Sequence, residues 1–354
     1  MNLPVKAAAL DAKFANPFAV SYLQLCQVSY DDPANIPAAV AGLPPVLDST
    51  WRCIWGPAMD PNDANLVYVA ACYDRPTGLP VLAAVVIRGT DADVPDITGV
   101  LIQAFEDLDV PLQSNLPWLL DNNVYVADGT LDALNTIQGL SAGGETLLEF
   151  LTGFLGAPAN EKPVLIVTGH SLGGCLTSVV APWLKASLGT AGVTVPVVPA
   201  TFAAPSAGNA AFAAYFAGQF PYSMRCFNSM DTVPMAWADL DGIYTVYDAC
   251  NTPLPDAVSW GLWGFQEALR LSGATYAQPV TNQMPLTGFC LNLLPPPDWY
   301  HQAMHQHHTT TYMTLLGGTS VGSALTRLRN LKTRRNVRRP GAPSLPAPRV
   351  ISQH

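Results

Sequence analysis

Charge is scarce in this chain. Asp, Glu, Lys and Arg make up only 12% of its 354 residues, against 49% hydrophobic. Such a chain has ample apolar material for one large domain, or one domain with a small cap. Long hydrophobic runs are missing as well. No window reaches the roughly eighteen uninterrupted apolar residues of a membrane span, so a transmembrane helix is not expected. The stretch Met1 to Leu10 holds one lysine and a short alanine run, without the charged start, apolar segment and cleavage site of a signal peptide. The expected location is therefore cytoplasmic, with leaderless secretion left open. Cysteine is sparse and scattered: Cys26, Cys53, Cys72, Cys175, Cys226, Cys250 and Cys290 contain no C-x-x-C pair. That excludes a zinc site or a dense disulfide framework and leaves room for one or two bridges. There is no internal repeat. No metal or organic cofactor is expected.

The net charge of −9 hides an asymmetry. Eight of the 17 Lys/Arg residues lie between Leu325 and His354, where there is no Asp or Glu, so the remainder holds nine basic residues against 26 acidic ones. An acidic body thus carries a basic tail, residues 325–354, whose Pro, Gly and Arg content predicts disorder. The tail would either fold back on the body, solubilise it, or hold an anionic lipid surface or nucleic acid. The first two are favoured, and no specific nucleic-acid partner is expected.

Between these extremes the pattern alternates. The chain up to about residue 65 is rich in Ala and Pro, with a helical patch near Pro17–Tyr30. Asn65–Tyr73 and Pro80–Ile87 read as strands joined by the turn Arg75-Pro76-Thr77-Gly78. Gly129–Gly139 and Gly144–Leu155 read as helices, and Pro163–Thr168 is a β-branched apolar run typical of a buried parallel strand. A helix should start at Leu172 and be kinked or ended by Pro182. Val193–Phe202 and Met224–Asn228 follow as strands, with a helix over Asn209–Phe216 between them. Strands alternating with helices predict an α/β fold with a mostly parallel central sheet, a catalytic domain over residues 1–324. Residues 91–120 suit a mobile lid, and residues 250–300, without clear periodicity, a cap insertion.

The predicted strand ending at Thr168 runs into Gly169-His170-Ser171-Leu172-Gly173. A serine between two glycines on a strand-to-helix turn has its hydroxyl exposed at a helix N-terminus, whose partial positive charge favours a developing oxyanion. Side chains at the glycines would collide with the neighbouring strand and helix. This makes Ser171 the candidate nucleophile. In the chain order nucleophile, acid, base, Asp231 directly follows a predicted strand, while Asp239 and Asp241 lie further from it. His170 sits inside the turn with its ring expected to point away from Ser171, and His354 ends the tail. The base therefore falls among His301, His305, His307 and His308. With no Cys or carboxylate interleaved, those four do not read as a metal cluster.

Further segments carry a resemblance. Ile87-Arg88-Gly89-Thr90, the loosely matching Ala127–Ala133, Thr201-Phe202-Ala203-Ala204-Pro205-Ser206-Ala207-Gly208-Asn209 and Asn228-Ser229-Met230-Asp231-Thr232-Val233-Pro234 arrive in order. Together with the serine turn they resemble the class 3, or fungal-type, lipases over residues 65–240 and 300–316. The departures are Ile87 for Phe, Ala203 for Gly, Asp128-Gly129-Thr130 for a His-Gly-Phe pattern, and Pro182 in the helix after the serine. The resemblance implies an α/β-hydrolase fold with a lid or cap insertion, and a carboxylic ester hydrolase working through an acyl-enzyme. It implies an oxyanion hole from the main-chain N–H groups of Leu172 and Thr90, Asp231 as acid, and Arg88 paired with a carboxylate behind the site. His307-His308-Thr309-Thr310-Thr311-Tyr312 resembles the H-x-x-x-x-Y segment of plant-like members, which selects His307 as base with His308 as its neighbouring rival. By the same resemblance the substrate is an acylglycerol or other ester lipid, met at a lipid surface through the lid or the tail. A phospholipase A1 or another carboxylesterase would use the same residues. A catalytically inactive lipase-like binding module should show a broken set of three.

Overall fold

Every second residue of the central strands belongs to one of two apolar cores. Val67, Val69, Val85, Ile87, Leu165 and Val167 face one, while Leu66, Tyr68, Ala70, Ala84, Val86 and Ile166 face the other. A sheet buried on both sides follows from this period of two, because successive side chains of a strand point to opposite faces. The computed structural model describes residues 12–90, 108–119, 123–280, 282–292 and 297–318. The central sheet has seven strands: β1 (Ser49–Met59), β2 (Leu66–Asp74), β3 (Pro80–Ile87), β4 (Val164–His170), β5 (Val197–Phe202), β6 (Met224–Asn228) and β7 (Gln283–Leu286), neighbours in space as in sequence. β1, β2 and β3 pair antiparallel, and every pair from β3 to β7 is parallel. The register Ile87↔Gly169 and His170↔Phe202 brings the carboxyl ends of β3, β4 and β5 level. Ligands of open parallel sheets bind at that edge.

Among the described residues the α-helices are α1 (Ala12–Val28), α2 (Ile36–Ala41), α3 (Asp128–Gly139), α4 (Leu147–Gly156), α5 (Leu172–Thr190), α6 (Ala210–Gln219), α7 (Leu240–Ile243), α8 (Asp256–Ser272), α9 (Trp299–His307) and α10 (Thr309–Leu315). α3, α4 and α5 contribute to the first core; α1 and α10 contribute to the second. α5 runs unbroken through Pro182, against the sequence expectation. A proline inside a helix costs about 3 kcal/mol through one lost hydrogen bond and a clash with the carbonyl four residues earlier. Every residue from Gly173 to Leu184 is buried, so ending the helix there would expose far more apolar surface than the proline costs.

Several elements had no sequence signal. β1 contains Arg52, Gly56 and Pro57, which break any alternation, and its pairing with β2 shifts register between Cys53 and Trp55 and again before Ala58. A proline is tolerated there because β1 is an edge strand. In residues 250–300, read as a cap, the chain forms α8 and then β7, which joins the sheet beside β6. A disulfide, Cys250–Cys290, spans the same segment. The mobile-lid reading of residues 91–120 falls largely outside the described residues, although Leu108, Val110 and Leu116 at its end are buried in the first core. The tail at 325–354 lies outside them altogether. Among the described residues no helix is long and apolar enough to cross a membrane.

Candidate active site

β4 ends on His170 and α5 begins at Leu172, so Ser171 alone makes the turn, with φ 59° and ψ −130°. Few residues other than glycine hold this conformation, and it costs about 1–3 kcal/mol. The surroundings show why glycine flanks the serine. A Cβ on Gly169 would lie 2.2 Å from the carbonyl carbon of Gly173, and one on Gly173 would lie 2.2 Å from the carbonyl oxygen of Ile87. Gly89 is pressed into the same turn, since its Cβ would meet the His170 carbonyl oxygen at 2.5 Å and the Ser171 Cβ at 3.2 Å. The Arg88-Gly89-Thr90 segment therefore abuts the serine turn directly. The Thr90 Oγ1 is buried without a hydrogen-bond partner among the described residues. Leu172 is the first residue of α5, where main-chain N–H groups have no acceptor within the helix.

Ser171, His307 and Asp231 lie in one hydrogen-bonded line. His307 Nε2 is 2.9 Å from Ser171 Oγ, and His307 Nδ1 is 2.9 Å from Asp231 Oδ2. A carboxylate only accepts, so Nδ1 carries the proton and Nε2 of a neutral ring accepts from the serine hydroxyl. Asp231 is fully buried. Its Oδ1 accepts the Val233 N–H at 3.0 Å, and its Oδ2 also accepts the hydroxyl of buried Tyr312 at 2.7 Å. The Tyr312 hydroxyl in turn accepts the Asn228 N–H at 3.0 Å. Burial, and then the charge of Asp231, push the Tyr312 phenol well above its ordinary range, so it stays a donor.

Other candidates sit elsewhere. His308 caps α10, its Nδ1 accepting from the Thr310 main-chain N–H. His301 pairs with Asp298 on the surface, and His305 neighbours Thr311. Asp239 caps α7, and Asp241 accepts from Gln266. Arg88 is buried and pairs with Asp63, whose side chain is mostly exposed. No group of three or more His, Cys, Asp or Glu suited to a metal occurs among the described residues.

The sequence reading gave no role to five residues that hold this line. His170 Nε2 lies 3.0 Å from the His307 main-chain oxygen, and the two rings are 4.8 Å apart. Burial, reinforced by His307, drives the His170 ring well below the ordinary histidine range. It is neutral, so Nε2–H donates to that carbonyl and Nδ1 accepts the Tyr30 hydroxyl at 3.1 Å. On the other side Asn228 Nδ2 donates to the Gln306 carbonyl and side-chain oxygens at 3.0 and 2.8 Å. Tyr312 and Asn228 stood inside matched motifs, but nothing in the sequence said what they touch. Tyr30 lies outside every motif.

The other matched segments position the same site. Ala203, where the family pattern has glycine, adopts φ 53°. Gly208 packs so closely that a Cβ would lie 2.2 Å from the Tyr125 carbonyl oxygen. Asn209 caps α6 by accepting the Phe212 N–H at 2.8 Å.

The family model of the class 3 lipases matches residues 84–240, which span β3 to α7 and include Ser171 and Asp231. Among solved structures the chain is similar to M37 lipase, with 25% identity, 87% of this chain and 94% of that one covered, and a TM-score of 0.71. More distant likenesses include a triacylglycerol lipase from Penicillium expansum (20% identity, 65% of this chain and 75% of that one, TM-score 0.45). A Rhizomucor miehei lipase–propeptide complex is similar at 20% identity, covering 64% of each chain, with a TM-score of 0.44. No curated relative matches in sequence. With its strand–serine–helix turn, its parallel sheet and the match across both, this chain carries a class 3 lipase segment over residues 84–240 and is a serine ester hydrolase of the α/β-hydrolase fold.

Proposed function

We propose that the chain hydrolyses the esters of acylglycerols, with Ser171 as nucleophile, His307 as general base and acid, and Asp231 as the group that orients and charge-balances His307. The observation that carries this reading is the line from Ser171 Oγ through His307 to Asp231, with 2.9 Å at each link. As the Ser171 oxygen attacks the ester carbonyl, its proton passes to His307 Nε2. The imidazolium so formed is stabilised by buried Asp231, which Tyr312 and the Val233 N–H hold in place by donating to it. The tetrahedral oxygen is met by the main-chain N–H groups of Leu172 and Thr90 and by the otherwise unpartnered Thr90 hydroxyl. His307 then protonates the leaving alcohol. Water, deprotonated by the same nitrogen, attacks the acyl-Ser171 ester and releases the fatty acid.

A phospholipase A1 or a simple carboxylesterase would share every one of these steps, so substrate choice is decided by rates. Ser171→Ala is expected to unfold at the wild-type temperature while losing hydrolysis of p-nitrophenyl esters. Wild-type rates in that variant would remove the scheme. A series of glycerol esters of rising chain length, followed across the solubility limit, then separates the readings. A rate that rises on passing the limit fits a lipase, and a smooth preference for short dissolved chains fits an esterase.

A further inference from the structure

α8 carries large apolar side chains on two faces. Val258 and Leu262 point into the first core, and Phe265 meets Trp237 edge to face at 5.9 Å. On the opposite face Trp260 is 71% exposed, Trp263 56% and Leu271 71%. Residues 260 and 263 are neighbours on a helix surface, and residue 271, three turns on, returns to the same side. The two indoles lie against each other at 6.1 Å, nearly perpendicular. Two large aromatics left in water at adjacent helix positions are costly for an isolated chain, since each holds about 150–250 Å² of surface.

Position and charge narrow the occupant. α8 is held to the loop of Asp231 at the carboxyl end of the sheet. The Tyr244 hydroxyl donates to the Ser259 carbonyl at 3.4 Å, and the Tyr247 hydroxyl to the carbonyl of Met230, the residue before Asp231, at 2.9 Å. The charges that α8 itself carries nearly cancel. Arg270 is paired with Glu267 through two hydrogen bonds of 2.8 and 2.6 Å, which leaves Asp256 at the helix N-terminus. A helix that offers no unpaired cation of its own does not suit an anionic surface. An indole with its apolar body and polar N–H suits the boundary between headgroups and acyl chains.

We propose that the Trp260–Trp263 face of α8 is a docking surface for an electrically neutral lipid boundary, which seats the enzyme with the Ser171 end of its sheet toward the lipid. The inference rests on the lipase reading for its purpose, but its test does not need turnover. Full-length Ser171→Ala is floated with phosphatidylcholine vesicles, alone and with Trp260→Ala and Trp263→Ala added. The expected result is more than about a hundredfold loss of vesicle binding in the triple variant, the scale for removing two half-buried indoles. Binding should change little with salt or when phosphatidylglycerol replaces part of the phosphatidylcholine, because no charge is being neutralised. In the Ser171 background of the wild type, Trp260→Ala/Trp263→Ala should hydrolyse a dissolved p-nitrophenyl ester at the unaltered rate and an emulsified glycerol ester several-fold more slowly. Equal vesicle binding with and without the tryptophans would overturn the proposal. So would binding only to anionic vesicles with full salt sensitivity, which would point to the basic tail. A sedimenting dimer that falls apart in the tryptophan variant would overturn it in favour of a second copy. Failure of the wild type to cleave dissolved esters would instead strike the catalytic scheme and leave the vesicle result standing.

Discussion

Tyr312→Phe isolates one oxygen atom at the centre of the site. The ring stays, so no cavity opens, and only the hydroxyl is lost. That hydroxyl donates to the Asp231 carboxylate at 2.7 Å and accepts the Asn228 N–H at 3.0 Å, both in fully buried surroundings. A hydrogen bond to a charged group is worth about 1.5–3 kcal/mol, and a buried N–H left without an acceptor costs about 1–3 kcal/mol. Some relaxation follows, so the expected loss of stability is about 3 kcal/mol. With a urea slope of about 3 kcal/mol per molar, the unfolding midpoint falls by about 1 M. Asp231 would then be held by Val233 N–H and His307 alone, and His307 would be less firmly oriented. kcat on a dissolved ester should fall about tenfold, or about 1.4 kcal/mol. KM should be unchanged, because Tyr312 lies behind Asp231, away from Ser171. The measurements are a urea titration followed by circular dichroism and steady-state kinetics on one preparation. A variant that unfolds at the wild-type urea concentration and turns over at the wild-type rate would refute the argument that this hydroxyl holds the acid in place.

Two further outcomes follow from the same geometry. Gly173→Ala places a methyl 2.2 Å from the Ile87 carbonyl oxygen and 2.9 Å from the Arg88 carbonyl carbon, so β3 and α5 must separate. Esterase activity should drop more than about a hundredfold with a lowered thermal midpoint, and wild-type kinetics would contradict the packing. His170 is neutral when folded but takes up a proton near its ordinary value of 6.5 when unfolded. Its contribution to stability is therefore complete above that pH and is lost as pH falls below it toward the depressed folded value. Unfolding free energy should fall by about 1.4 kcal/mol per pH unit in that window on account of this residue. In His170→Gln that part of the slope should vanish, and a slope that persists unchanged would assign the effect to other groups.

Much of the architecture was legible because it rests on short-range rules. β3 and β6 begin and end where the apolar runs Pro80–Ile87 and Met224–Asn228 do, since a strand buried on both faces has nothing else to be. The serine turn was legible because close contact forces glycine at Gly169 and Gly173. α8 was not legible, and for an instructive reason. Its exposed Trp260, Trp263 and Leu271 share the outer side with Glu267 and Arg270, so large apolar residues do not mark one face alone. The residues read for the nucleophile, base and acid do come together in space, but their supports were invisible. Tyr30 and His170 meet across 140 residues of chain, and Asn228 and Gln306 across 78. No local pattern encodes such pairings.

The His170–His307 contact has a mechanical consequence. Along the chain 136 residues separate Ser171 from His307. Through space the linkage is far shorter, because the ring next door to Ser171 holds the His307 main-chain oxygen at 3.0 Å. Serine and histidine therefore ride on one bracket. A displacement of α9 against the sheet carries both side chains together and keeps their spacing. Sequence changes outside that bracket leave the spacing of the two side chains intact.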